Sequence, residues 1–284
     1  MRRPVPGARM SPEQQAAAAR GLKGLIPIAG RPFLDHVIGA AASAGLRDVC
    51  LVVRPGDDPI REHYERCTLP GVRISFAVQD EPLGSAHALL AAECFAENES
   101  VIVINADNFY PTSAFEALRS TDGSALVGFR PDVLVSRGNV TADGIAGYAI
   151  VLNDAAGHLT SIVEKPDAAA LERAAGSALV SMTCWKFEPV IFAACREVPR
   201  SPRGEHELPD AVLLARRRFG ERFRVVPSDD PVLDLSTQAD IAAVEAALVA
   251  CRVERDATRP ARPAGRGRDP ARTCGACEPT RHDA

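Results

Sequence analysis

The run VRISFAVQDEPLGSAHALLAAECFAENESVIVINADN, residues 72–108, decides the fold. Its two ends, VRISFAV and SVIVIN, are short, rich in Val, Ile and Phe, and of strand length. Between them GSAHALLAAECFAEN carries apolar residues at helical spacing. Strand, helix, strand at this rhythm predicts a βαβ unit, two parallel strands joined by a helix that crosses one face of the sheet. The alternation extends both ways. Upstream, the helical segments RPFLDHVIGAAASAG (31–45) and DDPIREHYERC (57–67) flank the strand DVCLVV (48–53); downstream stands ALVGFR (125–130). The first half reads as a Rossmann-like α/β layer, a mostly parallel sheet covered on both faces.

The rhythm then changes. AGYAIVL (146–152) and LTSIVEK (159–165) flank the turn NDAAG and predict a hairpin. ALVSMTCWKF (178–187) is a further strand, followed by helical segments around EPVIFAACREV, ELPDAVLLARRR and STQADIAAVEAALVA. These are antiparallel additions to the parallel sheet. No internal repeat is evident.

The 284 residues hold 33 Lys plus Arg against 37 Asp plus Glu, a net charge of −4, and 46% are apolar. This is an ordinary globular composition with room for a sizeable core. No run approaches the roughly 18 apolar residues of a membrane span, and MRRPVPGARM has no apolar stretch of the secretory type. A cytoplasmic location is the default, with no membrane or nucleic-acid partner implied. Charge is uneven: residues 252–284 carry a net +3 and residues 1–251 a net −7. The Pro, Gly and Arg-rich tail from 252 lacks large apolar residues and is expected to be disordered, leaving 1–251 as the folded domain. Its Cys274 and Cys277, with His282, lack the second ligand pair of a structural zinc site. Cys50, Cys94 and Cys195 sit in apolar runs and read as small buried hydrophobes with reduced thiols. Lysine is scarce: Lys23, Lys165 and Lys186 stand against 30 arginines.

Three segments carry chemistry. In residues 7–32 a glycine beside a cation, then Lys23, then LIPIAGRP leading into a helix make a plausible polyphosphate cradle, because glycine lets backbone amides approach and cations meet phosphates. In QDEPLGSAHALLAA (79–92), Gly84 and Ser85 at a helix start offer free N–H groups, and Gln79 offers an amide suited to a base edge. The same pattern also fits a plain helix cap with a polar flank. In NADNFY, Asp107 stands where the carboxyl end of a parallel strand meets a ligand crevice and suits Mg2+, which takes one or two carboxylates alongside phosphates. A turn-forming Asp is the alternative.

Taken together and in order, these stretches resemble the sugar-phosphate nucleotidyltransferase (NDP-sugar pyrophosphorylase) family over residues 7 to about 245. The family's GxGTRM loop corresponds to Gly7–Met10, its K-x-L-x-P-V/I-x-G-x-P segment to Lys23–Pro32, its PLGTA turn to Pro82–Ala86, its GDN metal motif to Asn105–Asn108 and its EKP to Glu164–Pro166. The resemblance implies a GT-A-like three-layer α/β/α nucleotide-diphospho-sugar transferase fold. It further implies that Gly7, Gln79, Pro82, Gly84 and Ser85 bind the nucleotide, and that Arg9 and Lys23 hold its phosphates. Gly147 and Ser181 would contact the sugar, Glu164 its hydroxyls and Lys165 its phosphate. VLDLSTQADI resembles the family's W-x-D-T-G-T segment, making Asp234 the second Mg2+ ligand beside Asp107.

The implied reaction joins an NTP and a sugar 1-phosphate into an NDP-sugar and pyrophosphate. A non-catalytic nucleotide-binding regulator, and a cytidylyltransferase acting on another phosphorylated alcohol, are the alternatives; a homo-oligomer is left open. Departures from the family are specific. MRRPVP precedes Gly7 where the family has an apolar strand running into LAAGxGTR, and two prolines in six residues cannot make a central strand. The expectation is a missing first strand and a native start upstream of Met1. Ala106 replaces the glycine of GDN, Ser181-Met182-Thr183 replaces N-x-G, and DLST lacks the later glycine. Lys186 reads as a solvated lysine or a second sugar-phosphate contact, Trp185 as core. His36, His63, His87 and His206 show no metal or triad spacing, and SPRGEHELPDAV (201–212) reads as a helix start or a pre-helix segment near the sugar.

Overall fold

Val101–Ile104 is a strand whose side chains part to two sides: Val101 and Val103 meet one hydrophobic core, Ile102 and Ile104 another. That division runs through the molecule. The computed structural model describes residues 11–19, 22–56, 58–167 and 178–258. Its chain begins with helix α1 (Pro12–Ala19), a 3-10 turn (Lys23–Leu25), strands β1 (Pro27–Ile28) and β2 (Arg31–Pro32), and α2 (Phe33–Ser43). The alternating part follows as β3 (Asp48–Val53), α3 (Asp58–Arg66), β4 (Arg73–Val78), α4 (Ser85–Ala91), α5 (Glu93–Ala96) and β5 (Val101–Ile104). Next come β6 (Asn108–Phe109), α6 (Thr112–Ser120), β7 (Ala125–Phe129), α7 (Pro131–Ser136), a 3-10 helix (Asp143–Gly147), β8 (Ala149–Asn153) and β9 (Leu159–Val163). The last part is β10 (Leu179–Phe187), α8 (Val190–Glu197), α9 (Leu208–Phe219), β11 (Arg224–Ser228), β12 (Leu233–Asp234) and α10 (Asp240–Thr258).

The largest sheet has the order β11-β7-β10-β8-β9, with β5 also paired to β10. Strand β10 is antiparallel to β5, β7 and β8, while β11 is parallel to β7 and β9 antiparallel to β8. Four of the six strands, β5, β7, β8 and β11, therefore run one way. This is the expected α/β sheet with antiparallel additions, and β8–β9 is the predicted hairpin. Asp154 makes its turn, its Oδ1 accepting the N–H groups of Ala156 and His158 at 2.9 Å each, and Gly157 takes φ +78°.

The parallel pair β3–β4 forms a separate two-stranded sheet. Among the described residues β3 hydrogen-bonds as a strand to β4 alone, and β5 to β10 alone. Both lie on the same core all the same: Val49, Leu51, Ile74 and Phe76 join Ile102 and Ile104 against the apolar face of α2, together with α6 and α10. On the other side α4, α8 and α9 enclose Trp185, Phe187 and Phe223. Helices thus cover both faces, the three-layer arrangement predicted.

Three details differ from the sequence reading. Cys50, expected to be buried, is only partly covered on β3. Cys94 is exposed, not buried, because the helix breaks at Ala92 and restarts as the four-residue α5, turning Cys94 outward. The last helix runs to Thr258, past the boundary expected at 251. Residues 259–284, with Cys274, Cys277 and His282, lie outside the described residues, and no described helix is long and apolar enough to cross a membrane.

Candidate active site

The carboxyl end of β5 opens into a cavity of about 330 Å³ lined by Leu22, Lys23, Gly24, Arg54, Asn105, Ala106 and Asp107 among others. A strand is extended until its last side chain leaves the core, so the loop after it is where polar groups first become available. Asp107 sits in that loop. Its Oδ2 accepts from Lys23 Nζ at 3.0 Å, joining two residues 84 positions apart, and both side chains keep about a third of their surface open, 28% for Lys23 and 33% for Asp107.

Asp234 arrives from the other end of the chain. Strand β12 pairs antiparallel with β6, setting Asp234 opposite Asn108, and the Leu235 N–H donates to the Asp107 carbonyl at 2.8 Å. The two carboxylates expected to act together are thus neighbours across a two-residue ladder. Asp234 is 7% exposed and accepts from Tyr148 Oη at 2.5 Å, Ser236 Oγ at 2.7 Å and Asn108 Nδ2 at 3.1 Å. Burial nevertheless raises its carboxyl above the ordinary value; the Tyr148 and Ser236 hydrogen bonds pull the other way, and the charges of Asp107 and Asp240 push it further up. Tyr148, half-buried against that carboxylate, is itself held well above the ordinary phenol range by burial first and by Asp234 second.

The donor set can be tested against Mg2+. Among the described residues no group of three or more His, Cys, Asp or Glu is arranged to hold a metal. Two adjacent carboxylates, one buried and one open to the cavity, fit an ion that takes one or two protein carboxylates and completes its shell with water and phosphate. They would not fit a closed, all-protein site such as structural zinc.

Gln79 follows β4 and bonds inward: its Nε2 donates to the Gly84 carbonyl at 3.0 Å and lies 3.3 Å from His87 Nδ1. Gly84 has φ +102°, and a Cβ there would stand 2.6 Å from the His206 carbonyl oxygen, so glycine is required by the fold itself. Ser85 Oγ accepts from Leu208 N–H at 2.9 Å and caps the start of α9. Pro82 is exposed beside them. The turn expected to read a base is therefore anchored to the 206–208 segment by its glycine and serine, and Gln79 is spent partly on holding it.

The residues expected to meet the sugar come from the middle of the chain. Gly147 closes the second 3-10 helix, with open space where a Cβ would be. Ser181 lies in β10 opposite Gly128 and Ala149, at the edge of an irregularity that runs to Trp185. Glu164 and Lys165 follow β9 and are exposed, Lys165 in the left-handed region at φ +45°. Desolvation, then the nearby Glu207, raises the Glu164 carboxyl although much of the residue faces solvent. Gly7 and Arg9 lie outside the described residues. Lys186 donates to the Thr121 carbonyl at 2.6 Å, and Trp185 is core, stacked on Phe187. His36 and His63 serve α2, His36 Nε2 lying 2.8 Å from the Ile28 carbonyl and His63 3.3 Å from Asp35.

Three residues at the site escaped sequence reasoning. Tyr148 was hidden beside Gly147 in AGYA. Asn139 brackets Asp234 through the backbone, its Nδ2 donating to the Asp234 carbonyl at 2.7 Å and its Oδ1 accepting the Asp234 N–H at 2.8 Å. Tyr110, fully buried, donates to the Met182 carbonyl at 2.5 Å, lies 3.0 Å from that of Thr183, and accepts the Asn105 N–H at 3.2 Å. It ties the Asp107 loop to the irregular stretch of β10. A buried Tyr needs a hydroxyl partner, which was the one available signal.

Residues 18–229 match the nucleotidyl transferase family model. A bifunctional GlmU protein of Maricaulis maris is 34% identical over 238 residues, covering 81% of this chain and 49% of its own length. The chain thus spans about half the length of that relative. AglF of Haloferax volcanii, described as a UTP–glucose-1-phosphate uridylyltransferase, is 28% identical over 218 residues, covering 77% of this chain and 84% of its own. A solved UDP-glucose pyrophosphorylase complexed with UDP-glucose superposes with a TM-score of 0.65 at 18% identity, covering 81% of this chain and 91% of that one, a likeness of fold. With the family model matched over most of its length, the chain belongs to the nucleotidyl transferase family.

Proposed function

We propose that the protein transfers the NMP group of an NTP to a sugar 1-phosphate, releasing pyrophosphate and an NDP-sugar. The observation that carries this is the meeting of Lys23, Asp107 and Asp234 at the carboxyl end of β5, one ammonium and two carboxylates drawn from three distant parts of the chain. Such a set suits a polyphosphate with its divalent ion. AglF, with its uridylyltransferase description and match along 84% of its length, makes UTP with glucose 1-phosphate the first pair to test.

In this reading the sugar phosphate oxygen attacks the α-phosphorus in line and pyrophosphate leaves, with no protein nucleophile. Catalysis then consists of positioning and charge neutralisation. Asp107 and Asp234 would hold Mg2+, which when bound supplies charge neutralisation at the phosphates. Lys23, with Gly7 and Arg9, steadies the triphosphate and the leaving pyrophosphate. Lys165 brings the sugar phosphate forward against the repulsion of two anions, a task suited to a compact ammonium on a flexible stem. Glu164, Gly147 and Ser181 meet the sugar, and Gln79 with the Pro82–Ser85 turn meets the base.

The test is a screen of the four common NTPs and dTTP against sugar 1-phosphates and other phosphorylated alcohols, with Mg2+, pyrophosphate detection and a parallel measurement of nucleotide binding. Turnover with at least one pair, abolished by Asp107→Asn, is the expected result. Turnover confined to CTP with another phosphorylated alcohol would replace the acceptor. Nucleotide binding without any pyrophosphate release would replace the enzyme by a regulator.

A further inference from the structure

Resting on the nucleotide and metal reading above, we infer that Lys23 is a built-in counter-ion for Asp107, that it and a divalent cation exclude each other there, and that metal loading releases Lys23 toward the polyphosphate. The two carboxylates differ in how they are satisfied. Asp234 is surrounded by neutral donors, Tyr148, Ser236 and Asn108. Asp107 has an ammonium, and among the described residues the ion pair at either carboxylate is Lys23–Asp107 at 3.0 Å.

A doubly charged ion bound on the Asp107 carboxylate would face the Lys23 ammonium across a few ångströms in a half-buried cavity. Like charges at that separation and reduced screening repel strongly, so one of them leaves. The backbone is not what moves. Lys23 opens a single 3-10 turn between the buried Leu22 and Ile26, and the Ile26 N–H returns to the Lys23 carbonyl at 3.1 Å. Its side chain has four rotatable bonds and about 330 Å³ of shared cavity into which to swing. An arriving triphosphate offers the freed ammonium a new anion. Cation and polyphosphate then bind with positive coupling, and by linkage each strengthens the other equally.

The test measures Mn2+ binding by electron paramagnetic resonance on the full chain, without nucleotide, so that it depends on neither the NTP nor the sugar. Wild type, Lys23→Met, Lys23→Arg and Asp107→Asn are compared, each first shown to be folded by circular dichroism, with Lys23→Gln replacing the methionine variant if that fails to fold. Lys23→Met is expected to bind Mn2+ at least tenfold more tightly than wild type, Lys23→Arg to stay at or below wild type because it keeps the charge, and Asp107→Asn to lose binding. Equal or weaker binding by Lys23→Met, with Asp107→Asn still impaired, overturns the exclusion and leaves the metal reading standing. Undiminished binding by Asp107→Asn overturns both.

Discussion

Asp234 is a buried carboxylate held by three side-chain donors, Tyr148, Ser236 and Asn108. Tyr148 donates the shortest of its hydrogen bonds. Removing a hydrogen bond to a charged group costs about 1.5–3 kcal/mol, so Tyr148→Phe is expected to lower kcat/KM for nucleotidyl transfer by at least tenfold while leaving the far-UV circular dichroism unchanged; steady-state pyrophosphate release measures it. Lys165 is a different kind of residue, exposed and, among the described residues, without a hydrogen bond or ion pair that fixes its ammonium within the fold. Lys165→Ala is expected to keep wild-type stability and lose at least tenfold in turnover, the scale of one lost charge-assisted hydrogen bond to a phosphate; near-normal rates would reject its proposed role. Thr183 carries strain. A β-branched residue at φ +55° lies in the left-handed region, where L-residues pay a steric penalty of about 1–2 kcal/mol. It is held there by the β10 irregularity and by Tyr110, whose hydroxyl reaches the Met182 and Thr183 carbonyls. Glycine relieves the strain and gives back part of the gain as unfolded-chain entropy. Thr183→Gly should raise stability by about 0.5–1 kcal/mol in urea unfolding, and a loss would mean that the threonine side chain contributes more than its backbone strain removes.

The turn before α4 combines a visible structural role with a proposed nucleotide one. Gln79, Gly84 and Ser85 are proposed to meet the nucleotide, and each is also committed to the fold. The Gly84–Ala86 segment docks on His206, with the His206 N–H donating to Leu83 and the Ala86 N–H to the His206 carbonyl. Gly84→Ala meets both a positive φ and a Cβ 2.6 Å from a backbone oxygen that has no flexible side chain to yield. It is expected to destabilise by roughly 2 kcal/mol or more, visible as a lowered urea midpoint, whereas Pro82→Ala in the same exposed turn changes stability little. What the sequence could disclose follows the same division. Strands β3, β4, β5, β7 and β10 and the hairpin were legible because their apolar runs are local and continuous, and Asp107 because it ends such a run. Asn139 and Tyr148 were not legible, since their partner Asp234 lies 95 and 86 residues away and only a tertiary fold brings them together. Cys94 was misread because an apolar helix pattern does not announce a break at Ala92. Lys186 was ambiguous in sequence for the opposite reason: its partner is a backbone carbonyl, which any residue type can supply.

At the scale of the whole molecule, two cores on opposite faces of one sheet make β7 the best-protected strand. All five of its residues are buried, and it pairs with β10 on one edge and β11 on the other. Strands β3 and β5 are placed differently. Their side chains reach the α2 core as those of β7 do, but each has a strand partner on one edge only among the described residues. An isolated two-stranded sheet is marginal by itself, so the β3–β4 pair depends on side-chain burial under α2 where β7 has hydrogen bonds on both edges as well. Local opening is easiest where backbone hydrogen bonds are exposed and buried apolar contacts are few. Native-state hydrogen exchange should therefore rank the strands. Amides of residues 125–129 should exchange only through global unfolding, while alternate amides of 49–53 and 101–104, those on the unpaired edges, should exchange through smaller openings with little dependence on denaturant. Uniform protection across all three strands would show that the two sheets behave as one continuous unit in solution.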